Sequence, residues 1–281
     1  MRTKKAGLMM IAAFILIFLL IFIICGLCNS LSVREITLSA GWGDSPVRLA
    51  LISDLHSSSY GDGQSELISA IDRQKPDLVC LVGDIFDCKR PNDNAEAFIA
   101  AISGKYPCYY VTGNHELRSG SAAFGNKMDI LDKYGVITLS DESRELEING
   151  RKITLCGVDD PEQKLYESGY NISDALYAVS KVLPKDSYSV LLSHRPEYFS
   201  HYADYGFDLT LCGHAHGGQW RIPRLLENGL IAPGQGLFPK YTNGLYTMGD
   251  SSMVVSRGLA KGSVPVPRFY NRPEIVIVEL Q

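Results

Sequence analysis

The chain has 281 residues, 46% of them apolar and 21% charged, with 27 basic against 31 acidic side chains. That length and balance allow a sizeable buried core and exclude a disordered chain. Arg2, Lys4 and Lys5 stand in the first five residues, leaving 24 basic against 31 acidic elsewhere. Nothing in this acidic body suggests a nucleic-acid-binding surface, which would need a basic patch, although bound divalent cations could still draw a phosphate.

From Ala6 to Cys28 there is no charged residue, and Leu8 to Leu27 is almost wholly apolar. About 20 such residues in a helix span a bilayer of roughly 30 Å. The run has no polar stripe, unlike a helix half-buried in a soluble core. Residues 1–30 therefore read as a cytoplasmic tip and a transmembrane signal-anchor. The alternative is a cleaved signal peptide, whose apolar region usually covers about 7–15 residues. With the basic residues ahead of the run, the N-terminus is expected in the cytoplasm. Residues 31–281, with no evident linker, are expected as one domain on the extracytoplasmic side of a single-pass cell-membrane protein.

Beyond the anchor, strands are expected over Leu31–Ser39, Val47–Ser53, Asp77–Val82 and Tyr109–Thr112. Helical spacing marks Gln64–Gln74, Asn92–Ser103 and Lys127–Tyr134. Arg144–Ile148 and Lys152–Gly157 flank Asn149-Gly150, the signature of a tight hairpin. A helix within Ile172–Val182, strands over Tyr188–Ser193 and Asp208–Cys212, a Gly/Pro-rich loop from Gly217 to Asn243, and strands over Met253–Ser256 and Glu274–Leu280 complete the pattern. The alternation predicts an α/β fold with much parallel sheet, and the late hairpin and terminal strands predict a second, mixed sheet. The seven cysteines are odd in number and lack CxxC spacing, so no disulfide framework is expected.

Five apolar strands end in polar clusters: Asp54-Leu55-His56, Gly83-Asp84-Ile85-Phe86-Asp87, Gly113-Asn114-His115-Glu116, Ser193-His194-Arg195 and Gly213-His214-Ala215-His216. Five of the six histidines fall in these clusters; only His201 lies outside them, and it reads as an ordinary helix or loop residue. Sites in open α/β sheets form beyond the carboxyl ends of strands, so five such ends in one sheet would converge on one place.

In that order, the five motifs resemble those of the calcineurin-like metallophosphoesterase superfamily, from about Val47 to the C-terminus. The anchor, Gly234-Gln235-Gly236, Pro239-Lys240-Tyr241 and Gly244-Leu245-Tyr246 resemble its bacterial membrane-associated phosphodiesterase branch, which includes UDP-2,3-diacylglucosamine pyrophosphatase-like enzymes. The resemblance implies a four-layer α/β/β/α sandwich of two mixed sheets flanked by helices. It implies two divalent metal ions, about 3.5–4 Å apart, that serve hydrolysis of a phosphodiester or pyrophosphate bond by hydroxide. By the same resemblance Asp84 bridges the ions, Asp54, His56 and His216 complete one site, and Asn114, His194 and His214 complete the other. His115 would donate a proton to the leaving group and Asp87 would orient it. Mixed His, Asp and Asn donors suit Mn, Fe or Zn better than Mg or Ca.

The anchor points to a phosphate-ester substrate near the membrane, lipid- or nucleotide-linked. A phosphomonoesterase and a non-catalytic scaffold of the same fold are the alternatives. Scaffolds of this kind usually lack a ligand or the catalytic histidine, and this chain lacks neither. Glu116 reads as support beside His115, and Arg195 as a surface charge in preference to a phosphate contact. Gln219, Trp220, Arg221 and Arg224 are candidates to line the substrate site, with plain packing as the alternative for Trp220. Cys88 is not expected to be catalytic.

Overall fold

A computed structural model describes residues 2–43, 45–262 and 266–281. Its first element is α1 (Arg2–Gly26), whose side chains from Lys5 to Ile21 are exposed. It is long and apolar enough to cross a membrane.

The rest of the chain forms, in order, β1 (Ser32–Leu38), β2 (Val47–Ile52), α2 (Ser65–Gln74), β3 (Leu78–Val82), α3 (Asp93–Ser103), β4 (Cys108–Val111), α4 (Asn114–Leu117), α5 (Ser121–Lys133) and β5 (Ile137–Thr138). The second half comprises β6 (Glu142–Ile148), β7 (Arg151–Gly157), α6 (Ile172–Ser180), β8 (Tyr188–Leu192), α7 (Phe199–Asp204), β9 (Leu209–Cys212), β10 (Ile231–Ala232), β11 (Gly236–Leu237), β12 (Gly244–Met248), β13 (Ser251–Val255) and β14 (Glu274–Leu280).

Two six-stranded sheets result, ordered β1-β14-β2-β3-β4-β5 and β12-β13-β9-β8-β7-β6, beside a small β10-β11 pair. Both large sheets are mixed. In the first, β14 runs parallel to β1 and antiparallel to β2, and β2, β3, β4 and β5 are parallel. In the second, β7, β8, β9 and β13 are parallel and the edge strands β6 and β12 antiparallel.

Alternation along the strands builds the layers, because successive side chains leave opposite faces. Leu49 and Leu51 face the second sheet, where they meet Leu155, Val190, Leu192 and Leu211. Ala50 and Ile52 face the helices, among Leu67 and Ile71 of α2 and Phe98 and Ile102 of α3. Outside the second sheet, Cys156, Leu191 and Val255 pack on Leu176 and Val179 of α6 and Tyr202 of α7. The architecture is the four-layer α/β/β/α sandwich.

Three expectations shift. The terminal strand β14 joins the first sheet, between β1 and β2, while β13 joins the second. Periodicity reports a buried strand but not its neighbours. α5 begins at Ser121, well before Lys127; Gly125 and three small residues hide its first turns, where Phe124 stacks on Tyr166 with ring centroids 5.1 Å apart. The five polar strand ends divide between two sheets, with β2, β3 and β4 in one and β8 and β9 in the other. The Asn149-Gly150 turn forms as read, with φ of 53° and 75°, the left-handed pair a two-residue hairpin requires.

Candidate metal centre

The two sheets bring their carboxyl ends to one edge, and the loops beyond them interlock. The amides of Asp54, His56 and Ser57 donate to the carbonyls of Gly83, Asp84 and Ile85, at 3.0, 2.9 and 3.1 Å. Across the sandwich, the His214 amide donates to both Asp54 oxygens, at 3.0 and 3.1 Å. His194 lies against the Val82 carbonyl, its Nδ1 at 2.9 Å, so Nδ1–H donates there and Nε2 turns inward. Asp54, His56, Asp84, His214 and His216 all have positive φ, between 47° and 65°. Non-glycine residues enter that region at a cost and persist where surrounding structure holds them, commonly at functional sites.

Glycine is needed where these loops touch. A Cβ on Gly113, whose φ is an ordinary −113°, would overlap Asp84 Oδ1 and the Asp84 amide. A Cβ on Gly213 would lie 2.5 Å from Asp54 Oδ2.

The polar atoms form two adjoining groups. Asp54, His56 and His216 offer donor atoms within 4.8 Å of one another, as do Asp84, His194 and His214. Asp84 Oδ2 stands between them, 3.5 Å from His56 Nε2 and 3.3 Å from His194 Nε2. His214 Nδ1 is 3.2 Å from His194 Nε2. Asn114 is buried, and its Oδ1, like His56 Nε2, has no hydrogen-bond partner among the described residues. All seven residues expected as ligands are thus gathered at one point and buried.

These surroundings suit divalent cations. Orphaned buried polar atoms are costly, and carboxylate and imidazole lone pairs aimed at one another need positive charge between them. Burial opposes charge on His194, yet the Asp84 and Asp54 carboxylates outweigh it and push its pKa up to about 10. Burial raises the Asp84 carboxyl by itself, but His194, His56 and His115 hold it well below the usual range. The pKa values of His214 and His216 are driven well down, first by burial and then by neighbouring His194 and His56 respectively.

His115 stands at the rim, its side chain 23% exposed. Its Nδ1 lies 3.4 Å from Asp87 Oδ2, which also meets His56 Nδ1 at 3.1 Å. Asp87 therefore serves two rings, one more than expected. Burial would raise its carboxyl, but hydrogen bonds from His115, His56 and the Lys89 amide keep it ionised well below the ordinary range. Burial lowers His115, while Asp87 and Asp84 more than restore it, so its pKa lies above the usual imidazole value. Cys88 Sγ is 3.5 Å from His115 Nδ1.

A cavity of about 240 Å³ opens over these groups, lined by Asp84, Asn114, His115, Arg118, Arg195 and His214 among others. Arg195 is not the surface charge its position suggested. It is largely buried, donates to both oxygens of Asp160 at 2.5 and 2.9 Å, and places Nη1 3.2 Å from His214 Nε2. Asp160 went unremarked in the sequence although it closes a sixth strand end, Gly157-Val158-Asp159-Asp160 after β7, by the signal that marked the other five. Glu116 is buried and braces the centre, as its reading anticipated. His201 lies on α7, away from these groups. All seven cysteines are free thiols.

Residues 47–218 match the calcineurin-like phosphoesterase family. YkoQ of Bacillus subtilis (strain 168), described as a metallophosphoesterase, is 26% identical over 260 residues, 90% of this chain and 92% of that protein. The phosphodiesterase YaeI of Escherichia coli (strain K12) is 28% identical over 239 residues, 84% of this chain and 82% of its own length. Among solved structures, TT1561 of Thermus thermophilus matches with a TM-score of 0.50 at 14% identity, over 77% of this chain and 91% of that one, a likeness of fold.

Proposed function

The chain belongs to the calcineurin-like phosphoesterase family and is a metallophosphoesterase, and from that premise we propose that it hydrolyses a phosphodiester or pyrophosphate bond in a lipid- or nucleotide-linked substrate held near a membrane. The observation that carries the reading is the pair of orphaned buried atoms, His56 Nε2 and Asn114 Oδ1, grouped with Asp84 beneath a cavity whose rim carries His115.

In this reading two divalent ions would be held by Asp84 together with Asp54, His56 and His216 on one side and Asn114, His194 and His214 on the other. When bound, the ions supply Lewis-acid charge to the phosphoryl oxygens and lower the pKa of water. The protein does the rest. Arg118 and Arg195 line the cavity, paired with Glu162 and with Asp160 respectively, and their remaining N–H groups would meet the phosphoryl group, Arg118 being the more exposed. His115, whose pKa Asp87 and Asp84 raise against the effect of burial, would offer a proton to the departing oxygen. Asp87 fixes the ring's orientation through Nδ1.

α1 supports an anchor over residues 1–30, with residues 31–281 as the catalytic domain on the extracytoplasmic side.

The test uses the full chain in detergent with added Mn and bis-p-nitrophenyl phosphate. Asp84→Asn should abolish turnover and lower the metal content measured by mass spectrometry. Full activity in that variant would end the bridging role. Turnover of the aryl monoester, run alongside, separates a diesterase from a monoesterase.

A further inference from the structure

The loop from Gly217 to Asn243 exposes large apolar side chains, including Leu225 at 83%, Phe238 at 72% and Trp220 at 43%. Isolated exposed apolar residues are ordinary, but a contiguous set marks an interaction surface. Here the set is continuous with the apolar helix. Phe22 of α1 packs on Phe269 and Tyr270, with ring centroids 5.7 and 4.9 Å apart. Gly26 lies against the Phe269 ring so closely that a Cβ would overlap it. The Tyr270 hydroxyl donates to the Phe22 carbonyl at 2.9 Å, and its amide to the Gly26 carbonyl at 2.6 Å. Phe269 then meets Trp220 at 5.7 Å, and the Arg221 amide donates to the Phe269 carbonyl at 2.9 Å.

The loop therefore emerges where α1 ends. Its composition suits that place: three basic residues, Arg221, Arg224 and Lys240, against one acid, Glu227, in an otherwise acidic body. Aromatic and basic side chains around an apolar patch are what a bilayer surface takes.

Behind the patch runs a groove of about 410 Å³, lined by Ile231, Ala232, Pro233, Val266, Gln219 and His216. His216, Pro233 and Gly234 also line the cavity over the metal-type residues. The groove thus adjoins the site, and the carbonyl of Gln219 on its wall accepts from the amide of Phe269, which packs on the end of α1, at 3.2 Å.

We propose that residues 220–238, with 266–270, sit in the bilayer surface beside the anchor, and that the groove admits the apolar part of a lipid-linked phosphoester directly from the membrane. This rests on the anchor and the hydrolase reading above, and it adds a membrane-seated loop and a route of entry. The bilayer is the occupant because the patch adjoins a helix that crosses one. A groove that ends at His216 has a use for apolar chains that an interface between two copies would not require.

The chain's two tryptophans allow a direct test. Trp220 belongs to the patch, whereas Trp42 packs on Tyr188 at the start of β8, the opposite end of the strands from the site. The full chain is reconstituted in phosphatidylcholine vesicles with brominated acyl chains, and its tryptophan emission is compared with that in unbrominated lipid. Quenching is expected in the native chain and should disappear in Trp220→Phe, whose remaining emission comes from Trp42. Equal quenching in both chains, or none in either, overturns the proposal. So does a cross-linked dimer that shields Trp220, which would give the patch to a second copy.

A second arm replaces Leu225, Leu237 and Phe238 with serine. Turnover of a diacylglycerol-linked nitrophenyl phosphodiester in vesicles should fall about tenfold, while that of soluble bis-p-nitrophenyl phosphate stays within about twofold. Equal losses on both substrates would refute the route of entry. A native chain inactive on the soluble diester would instead sink the hydrolase reading, and the quenching would still decide where the loop lies.

Discussion

The Glu116 carboxylate accepts from the amides of Asp84, Phe86 and Gly113, each at 2.9 Å, and so ties the loop after β3 to the one after β4. Burial, and then the Asp84 charge, raise its pKa, and the Phe86 and Gly113 amides act against that rise. Glu116→Gln turns one acceptor into a donor facing N–H groups. The expected loss is about 2–3 kcal/mol of stability, with weaker metal retention, since an unsatisfied buried donor costs about 1–3 kcal/mol. An unchanged melting temperature would remove this bracing role. Asp141 is a half-buried acid, accepting from the Asp159 amide and the Tyr170 hydroxyl, each at 3.1 Å. Burial, aided by the Asp159 charge, pushes it up to about 6. A folded-state pKa above the unfolded value favours folding at low pH, and that contribution is lost as pH rises through about 6. Asp141→Asn keeps an acceptor and sheds the charge. It should raise stability by about 1 kcal/mol at pH 8, discounted for partial exposure, with little gain at pH 4. Denaturant melts at both pH values check this, and equal effects at the two would refute it.

At the scale of elements, each strand delivers its polar cluster by stopping at the right residue, and its neighbours' close approach fixes that stop. Gly113 shows how tightly. Its φ would suit any residue, so Gly113→Ala tests contact alone. The added methyl meets the Asp84 carboxylate and amide, both held by hydrogen bonds from or to α4. Metal binding should fall at least about tenfold by titration, with a stability loss of about 1–3 kcal/mol from overpacking. Native affinity would show that the Asp84 loop can move aside. Most of these elements were legible. β2, β3, β8, β9 and β14 read as apolar runs because both faces are buried, and the clusters after them announced the site. The short pieces were not. α4 is four residues whose course follows from Glu116 capping and Asp84 accepting, and β5 is two residues on an edge. Arg195 was misread for a similar reason. Its burial depends on Asp160, some 35 positions earlier, and no local pattern reports that partner.

Across the whole molecule, the centre joins two sheets that otherwise meet through apolar contacts. Asp54, His56, Asp84 and Asn114 follow strands of one sheet, while His194, His214 and His216 follow strands of the other. The sequence supplied these residues but not their division between sheets, because periodicity marks burial and leaves pairing open. The division has a thermodynamic consequence. If divalent ions take ligands from both sheets, they bind the folded chain and have no equivalent site in the unfolded one. Saturation at about a hundredfold above the dissociation constant then adds about 2.7 kcal/mol per ion. For a domain of this size each kcal/mol raises the melting temperature by roughly 2–4 °C. Mn, binding as two ions, should therefore raise the melting temperature of the metal-free full chain in detergent by about 10–20 °C, and a chelator should reverse the shift. His194→Ala and His56→Ala, drawn from opposite sheets, should each remove part of it. His115→Ala, which leaves both proposed ligand sets intact, should keep the shift and two metals per chain while slowing turnover most for poor leaving groups. A shift lost in His115→Ala would make that ring a ligand. A shift that survives both of the other variants would mean that the ions do not bridge the sheets.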